Sequence, residues 1–449
     1  MDSERRQTRR GWLCAITAAA GGLAGCSMPR AEDTRTSTAA TGDGAPSTNS
    51  SEETSKTPAG DSPSSDGSSW PTFRGDNRNT GCEPNGRGPL NRPDEKWTVS
   101  TDGGVWSSPV VADGLLYVGC MAGTLYAIDV ATGEVDWRYE ADGPIQSTPT
   151  VVDGRVYFGS LDKRVYCLDA KTGEEQWAYE TAGLVHSSPT ISGTMLYIGS
   201  GALPIEEIYA YLESSGLEQE GGGVYALNRE TGELEWRAFS DRLVSSTPAV
   251  VDSSVYVGLV DGEDERPLVV SLEASDGSVQ WDSETDAAVL TSPSVWSNTV
   301  YCASYSGNVY ALSTETGDEE WTFHVGSGEI RGSTAVCDGS VYVPVSGNAL
   351  AQNSDNPVLY SLSLDGDEQW KHEIAGGRQM GSSPAVTSDA VYVGTHYIDG
   401  GGGLYAVSPD GERLWDEEVS GGEGVGSSPA VVDGTVYYGA DDNTVYAME

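Results

Sequence analysis

The stretch that decides the fold opens with Ser147-Thr148-Pro149 and runs on through Val151-Val152-Asp153-Gly154-Arg155-Val156-Tyr157. It closes with Cys167-Leu168-Asp169-Ala170-Lys171-Thr172-Gly173-Glu174-Glu175-Gln176-Trp177. Short runs rich in Val and Tyr read as strands, and the Asp-Gly and Thr-Gly pairs supply the positive-φ residues that tight hairpins require. The runs are apolar on both faces, as expected of sheets covered on both sides. Proline removes a ladder donor, so Pro149 belongs on an edge strand. The stretch therefore predicts a four-stranded unit that begins on an edge and ends on a tryptophan.

The same pattern recurs on either side of it. Its anchor is read at Pro109, Pro149, Pro189, Pro248, Pro293, Ala335 (in place of Pro), Pro384 and Pro429. Its closing indoles are Trp137, Trp177, Trp236, Trp281, Trp321, Trp370 and Trp415. The last copy stops at Val445-Tyr446-Ala447-Met448-Glu449 with no turn and no Trp, while a matching Trp97 stands ahead of the first anchor. Seven complete units and one divided between the two ends follow. Residues 97–449 allow about 44 residues per unit, the size of a propeller blade. The fold expected is all-β, an eight-bladed β-propeller of four-stranded antiparallel blades. Its last blade is closed by an N-terminal strand, which removes a free pairing edge. A solenoid would need capping repeats instead.

Composition bounds the setting. In 449 residues, Asp and Glu number 68 against 25 Lys and Arg, a formal net charge of −43. That balance excludes the basic footprint a nucleic-acid partner requires. It also opposes an anionic membrane surface except through a covalent anchor. Multimolar salt screens such charge within a few ångströms, and the acid-rich, Lys-poor composition is similar to that of haloarchaeal proteins.

The N-terminus reads as an address. Arg5, Arg6, Arg9 and Arg10 precede the apolar stretch Trp12–Leu23, which is short for a membrane span, and Leu23-Ala24-Gly25-Cys26 follows. Residues 1–25 resemble a twin-arginine signal peptide with a lipobox, carrying Arg9 and Arg10 as the export signal and Cys26 as the lipidated residue. Residues 26–69 are Ser, Thr, Asp, Glu, Gly and Pro with scarcely an apolar side chain, and read as a flexible stalk. This places the protein outside the cell, anchored to the outer side of the cytoplasmic membrane, with residues 70–449 as the propeller. Cys82, Cys120, Cys167, Cys302 and Cys337 show no CxxC spacing. They argue against a zinc site or a disulfide framework and leave room for one bridge.

The turn segment Ala127-Ile128-Asp129-Val130-Ala131-Thr132-Gly133-Glu134-Val135-Asp136-Trp137 resembles the AxDxxTGxxxW docking motif of PQQ-type propeller repeats. It recurs at 167–177, 226–236 and 311–321, more loosely at 271–281, and one residue shorter before Trp370 and Trp415. Trp70-Pro71-Thr72-Phe73-Arg74-Gly75-Asp76 and Arg78-Asn79-Thr80-Gly81 resemble the family's opening segment. The resemblance implies that the eight indoles, Trp97 included, dock blades together. It leaves two functional branches open, the quinoprotein dehydrogenases that use PQQ and calcium and non-catalytic lipoproteins such as the BamB assembly factor. The alcohol-oxidising branch carries a vicinal Cys-Cys, and this sequence has neither that pair nor a CxxCH haem motif. The reading favoured is a non-catalytic scaffold with no catalytic residues, no metal cluster and no required cofactor.

Insertions fall between second and third strands, at 201–222, 261–267, 347–357 and 398–403, and so on one face. Variable loops on a rigid scaffold are the usual place for binding, so that face is expected to receive a protein, peptide or glycan. The residue three before each anchor should stand at the channel mouth there: Trp106, Gln146, His186, Ser245, Leu290, Gly332, Gly381 and Gly426, with Arg331 beside the bare side. Trp106, Gln146, His186 and Arg331 are the candidate pocket, with Trp106 stacking on a flat ligand and Arg331 pairing a carboxylate. Asp261–Glu265 and Asp441-Asp442-Asn443 lack EF-hand spacing and read as solvated acidic runs.

Overall fold

Each repeat forms four antiparallel strands because its turns are set by Gly, Asp and Asn and its strands are buried to different depths. In the computed structural model, residues 69–449 are described apart from 202–220, 261–265, 327, 348–355, 375–378, 397–401 and 420–423. The leader with Arg9 and Arg10, the Cys26 anchor, the stalk as far as residue 68, most of the four insertions and the Asp261–Glu265 run therefore lie outside the described residues.

The second blade is representative, with strands Thr150–Val152, Arg155–Ser160, Arg164–Asp169 and Glu175–Glu180 from the channel outward. Its two middle strands are buried on both faces, and its outer strand alternates. Val156, Phe158, Tyr166 and Leu168 pack with Tyr117 and Leu125 of the blade before it and with Ile145 of the link between the two. Burying one such side chain contributes about 1.5–3 kcal/mol. The described residues make eight such sheets, the seventh with Cys82–Glu83 added as a fifth strand on its inner edge. In the last, Ala430–Val432, Thr435–Ala440 and Thr444–Met448 take their outermost strand, Glu95–Ser100, from the other end of the chain.

Three sets of hydrogen bonds explain the repeat's residue choices. First, every docking indole donates to a backbone carbonyl at 2.7–3.1 Å. Seven reach the 3–4 turn of the next blade: Trp97 to Val130, Trp137 to Ala170, Trp177 to Arg229, Trp236 to Ala274, Trp281 to Thr314, Trp321 to Leu364 and Trp370 to Pro409. The eighth blade has no such turn, and Trp415 donates to Pro89, which also accepts from the Tyr392 hydroxyl. Residues ahead of Glu95 thus supply the missing turn.

Second, the hydroxyl residues of the anchor make a closed ring. The Ser108 N–H donates to the Thr148 hydroxyl, Thr148 to Ser188, Ser188 to Thr247, Thr247 to Ser292, Ser292 to Ser333, Ser333 to Ser383, Ser383 to Ser428 and Ser428 back to Ser108, at 2.9–3.3 Å. This ring corrects the register expected in the sixth blade. Ala335 pairs with Tyr342 as Thr150 pairs with Tyr157, so it begins the inner strand and Thr334 occupies the proline position. The residue three before that anchor is then Arg331, not Gly332.

Third, the hydroxyl one residue earlier accepts the N–H of a residue in the second strand, as Ser147 does from Gly159 and Ser187 from Gly199, both at 3.0 Å. In the sixth blade both partners change together: Gly332 has no hydroxyl and Pro344 has no N–H. Removing both halves of a buried hydrogen bond costs far less than removing one.

The sequence reading missed what fills the channel. Each inner strand has an unpaired edge, and residues 70–87 pair with these edges in turn. The N–H groups of Val111, Val151, Val250, Val295, Val336 and Val386 donate to the carbonyls of Trp70, Pro71, Asn77, Arg78, Thr80 and Gly81 at 2.7–2.9 Å. In the third blade the Asn77 side-chain amide donates to Ile191 O at 2.6 Å, and at the eighth Gly434 N–H donates to Arg87 O at 2.9 Å. Asn79 reaches the Thr247 and Pro293 carbonyls, and Thr72, Arg74, Asn79 and Thr80 are all buried. This clasp is tied down by a disulfide between Cys82 and Cys337, the single bridge for which the cysteine spacing leaves room.

Buried phenols make the fold sensitive to alkali. Burial pushes Tyr197 and Tyr301 up to about 12, and raises Tyr117, Tyr157 and Tyr392 as well. In the unfolded chain these groups ionise near the ordinary value of about 10. Stability is therefore undiminished below pH 10 and falls as pH rises from there toward 12, because the unfolded state sheds protons first. Tyrosinate absorbance is expected to rise in step with loss of the β-sheet circular dichroism. Ionisation of these phenols at unchanged dichroism would refute the link.

Candidate functional site

In a four-stranded blade the 2–3 connections and the links between blades emerge on the same face. The residue three before each anchor stands there, at the mouth of the channel. With the sixth blade in its observed register, the ring reads Trp106, Gln146, His186, Ser245, Leu290, Arg331, Gly381 and Gly426. Arg331 is a member of this ring and not a neighbour of it. The bare side shrinks to Gly381 and Gly426, bordered by Arg331 and Trp106.

Trp106 donates its indole N–H to Asp441 Oδ1 at 2.6 Å, and both lie over Gly426. That bond fixes the ring plane and leaves the indole's π face for stacking. Asp441 is thus engaged at the mouth, and Asp442 accepts the Tyr446 hydroxyl, so the acidic run is a set of positioned acceptors. Gln146 is buried and donates its side-chain amide to Met121 Sδ at 3.4 Å. Burial lowers the His186 imidazole, which keeps it neutral near pH 7.

Arg331 has a different setting. Its Nε and Nη2 donate to Glu329 Oε2 at 3.1 and 2.8 Å, its Nη2 also reaches the Tyr305 hydroxyl at 3.0 Å, and its guanidinium lies 5.5 Å from the Tyr305 ring centroid. The pair is partly exposed and contributes little to stability. Its effect is on binding: Arg331 already has a carboxylate, so a ligand carboxylate would have to compete with Glu329. The structure brings Trp106, Gln146 and His186 together on three consecutive blades. Arg331 stands across the mouth from Gln146.

The clasp runs along the inner strands inside the channel, below the mouth. Among the described residues no group of three or more His, Cys, Asp or Glu converges as metal ligands would. A groove of ≈570 Å³ lies on the hairpin face between the sixth and seventh blades, lined by Cys337, Tyr342, Trp370 and Thr387 among others. The sequence reading missed both clasp and groove. The clasp's signal was the set of unpaired inner edges, which demand partners.

Comparison with known proteins supports the same fold. A family model described as the outer membrane protein assembly factor BamB matches residues 89–218 and 220–449. The quinohemoprotein alcohol dehydrogenase of Comamonas testosteroni is similar with a TM-score of 0.69 and 17% identity, over 85% of this chain and 80% of that one. BamB from Moraxella catarrhalis is similar at 0.60 and 16%, over 79% and 97%. A europium-containing methanol dehydrogenase is similar at 0.66 and 14%, over 83% and 90%. No curated protein sequence matches the chain. At these identities the structures establish the propeller and leave the activity to the site.

Proposed function

The chain belongs to the PQQ-type propeller family whose model is described as the outer membrane protein assembly factor BamB, and from that membership and the mouth on the loop face we propose that it is a non-catalytic binding or assembly scaffold. It acts at the cell surface, exported by the leader carrying Arg9 and Arg10 and held by a lipid on Cys26 to the outer side of the cytoplasmic membrane. It receives a protein, peptide or glycan on the loop face, in a high-salt medium that its charge of −43 suits. The observation that carries the reading is the clasp. With residues 70–87 lying along the inner strands, the loop face holds the mouth, and the connections between second and third strands emerge on that face.

A PQQ- and calcium-dependent dehydrogenase is the second reading, favoured by the fold shared with the two dehydrogenases above and by the free face of Trp106. The residues described at the mouth do not fit that pair of groups. Asp441 is held by Trp106, Arg331 by Glu329, and no three ligating side chains converge. No reaction step is assigned to them.

One titration separates the readings. Calorimetry of PQQ with calcium, added to the chain from residue 66 onward in multimolar KCl, is expected to give no saturable heat. Binding of one quinone per ring, weakened at least tenfold by Trp106→Ala, would overturn the scaffold reading. A photo-crosslinking side chain at Gly381 is expected to give discrete adducts in native membranes, and one at Ser388 on the hairpin face to give none. Equal labelling from both faces would remove the loop face from the proposal.

A further inference from the structure

The clasp is fastened unevenly. Trp70 is buried in a hydrophobic cluster and exchanges two hydrogen bonds with Val111 at 2.8 Å. From Pro71 to Gly81, however, the backbone gives one carbonyl to each of five inner strands, and the pairing longer than a single bridge is two residues, Cys82 with Val386 and Glu83 with Thr387. Its interior carries a cost. Arg74 is 3% exposed, and its Nε and Nη1 have no hydrogen-bond partner, while Nη2 donates to Thr80 O at 3.2 Å. The Asp76 carboxylate offsets part of this charge, yet burial still outweighs it and lowers the Arg74 guanidinium, so the cation opposes burial of the segment that carries it. Segments with few apolar contacts and opposed burial open before the rest of a fold does.

One covalent bond counters this. Cys82 stands between two blades, paired with the inner strand of the seventh and bridged to Cys337, the last inner-strand residue of the sixth. The bridged residues lie 255 apart in sequence, so the closed loop takes in the first five blades and the inner strand of the sixth. Cys82 is half-buried, and Cys337 lines the groove on the hairpin face. A small reductant therefore has a route to the bridge. Cys120, Cys167 and Cys302 are free thiols whose burial keeps them from thiol exchange, and burial also pushes Cys167 up to about 11 and Cys302 up to about 12.

We propose that the Cys82–Cys337 disulfide is a redox latch: oxidised, it holds the clasp in the channel, and reduced, it lets residues 70–87 leave as a unit while the eight blades stay folded. Opening the latch bares the inner-strand edges that the clasp covers. The chemistry is a two-electron reduction. With a water-soluble phosphine, the S–S bond breaks, two thiols form with two protons, and the phosphine becomes its oxide with oxygen from water. This latch does not depend on the scaffold reading, since it concerns the clasp and not the ligand.

The test uses the full chain in multimolar KCl, with and without the phosphine. Tryptic cleavage after Arg74 and Arg78, followed by mass spectrometry, is expected to speed up at least tenfold on reduction. Hydrogen exchange at Val111, Val151, Val250, Val295, Val336 and Val386 should rise in parallel, while the second strands, such as Arg155–Ser160, remain protected. Cys82→Ser should behave as the reduced chain without reductant, and Cys120→Ser should respond to the phosphine as the parent does. Unchanged cleavage after verified reduction would overturn the latch. So would exchange that rises uniformly through all blades, because the ring would then be opening as a whole. If Cys82→Ser does not fold, the phosphine comparison decides alone.

Discussion

Deleting residues 1–104 is expected to abolish cooperative folding, whereas deleting residues 1–94 should leave a closed ring with a lower melting temperature. The difference lies in Glu95–Ser100. That strand pairs with Thr444–Met448 in the ladder Trp97–Ala447, Thr98–Tyr446, Val99–Val445 and Ser100–Thr444. It also carries the indole that donates to Val130 O at 3.0 Å, against which Gly133 packs. Without it the eighth blade presents an open edge, and the joint between eighth and first blades loses its tryptophan. Loss of one such indole costs about 3–5 kcal/mol. With the ladder added, the loss is comparable to the whole stability of a typical domain, about 5–15 kcal/mol.

Removing only the clasp has opposed effects. The six inner-strand valine N–H groups lose their carbonyl partners but then meet water in an emptied channel, and the Arg74 burial penalty disappears. Calorimetric melting in high salt measures both, and deletion of 27–65 serves as a control expected to leave the melt unchanged. A sharp, parent-like transition for the 1–104 deletion would sink the split-blade closure.

What the sequence made legible was local. A hairpin needs its Asp-Gly, a bulged 3–4 turn its Thr-Gly, and a docking site its Trp, and each lies within one unit of about 44 residues. The division of the eighth blade was legible for the same reason, since a missing turn at Glu449 and a surplus Trp97 point to each other. The sixth blade was misread because two marks vanished together. Thr334 replaced the proline, and the paired loss of the Gly332 hydroxyl and the Pro344 N–H removed the Ser-Ser spacing by which the register is found. The clasp was illegible because its partners are spread over more than three hundred residues and its own side chains follow no period. Trp106, Gln146 and His186 are reached by counting back three residues from a proline. Arg331 was found as a residue and not as a ring position, and nothing in its local sequence gave away Tyr305.

The docking motif itself predicts a coupled pair of effects. Trp281 is 7% exposed, donates to Thr314 O at 2.9 Å and packs with its ring centroid 5.8 Å from that of Tyr256. Trp281→Ala is expected to destabilise by about 3–5 kcal/mol, through lost burial and the cavity left behind. Trp281→Phe keeps most of the area and should cost about 1–2 kcal/mol, chiefly the indole hydrogen bond. Gly317 lies beneath the indole at φ +72°, and a Cβ there would come within 2.5 Å of Trp281 Cε3. Gly317→Ala therefore meets two penalties, about 1–2 kcal/mol for the left-handed backbone and about 1–3 kcal/mol for overpacking.

With Trp281 already truncated the second penalty disappears and the first remains. The double substitution should then cost less than the sum of the two singles by about 1–3 kcal/mol. Denaturant unfolding of the four proteins measures that coupling. Strict additivity would mean that the indole and the glycine do not share the contact the blade joint requires. The same cycle at Trp415 and Gly411 should be additive, because Trp415 docks on Pro89 whereas Gly411 packs under Trp370.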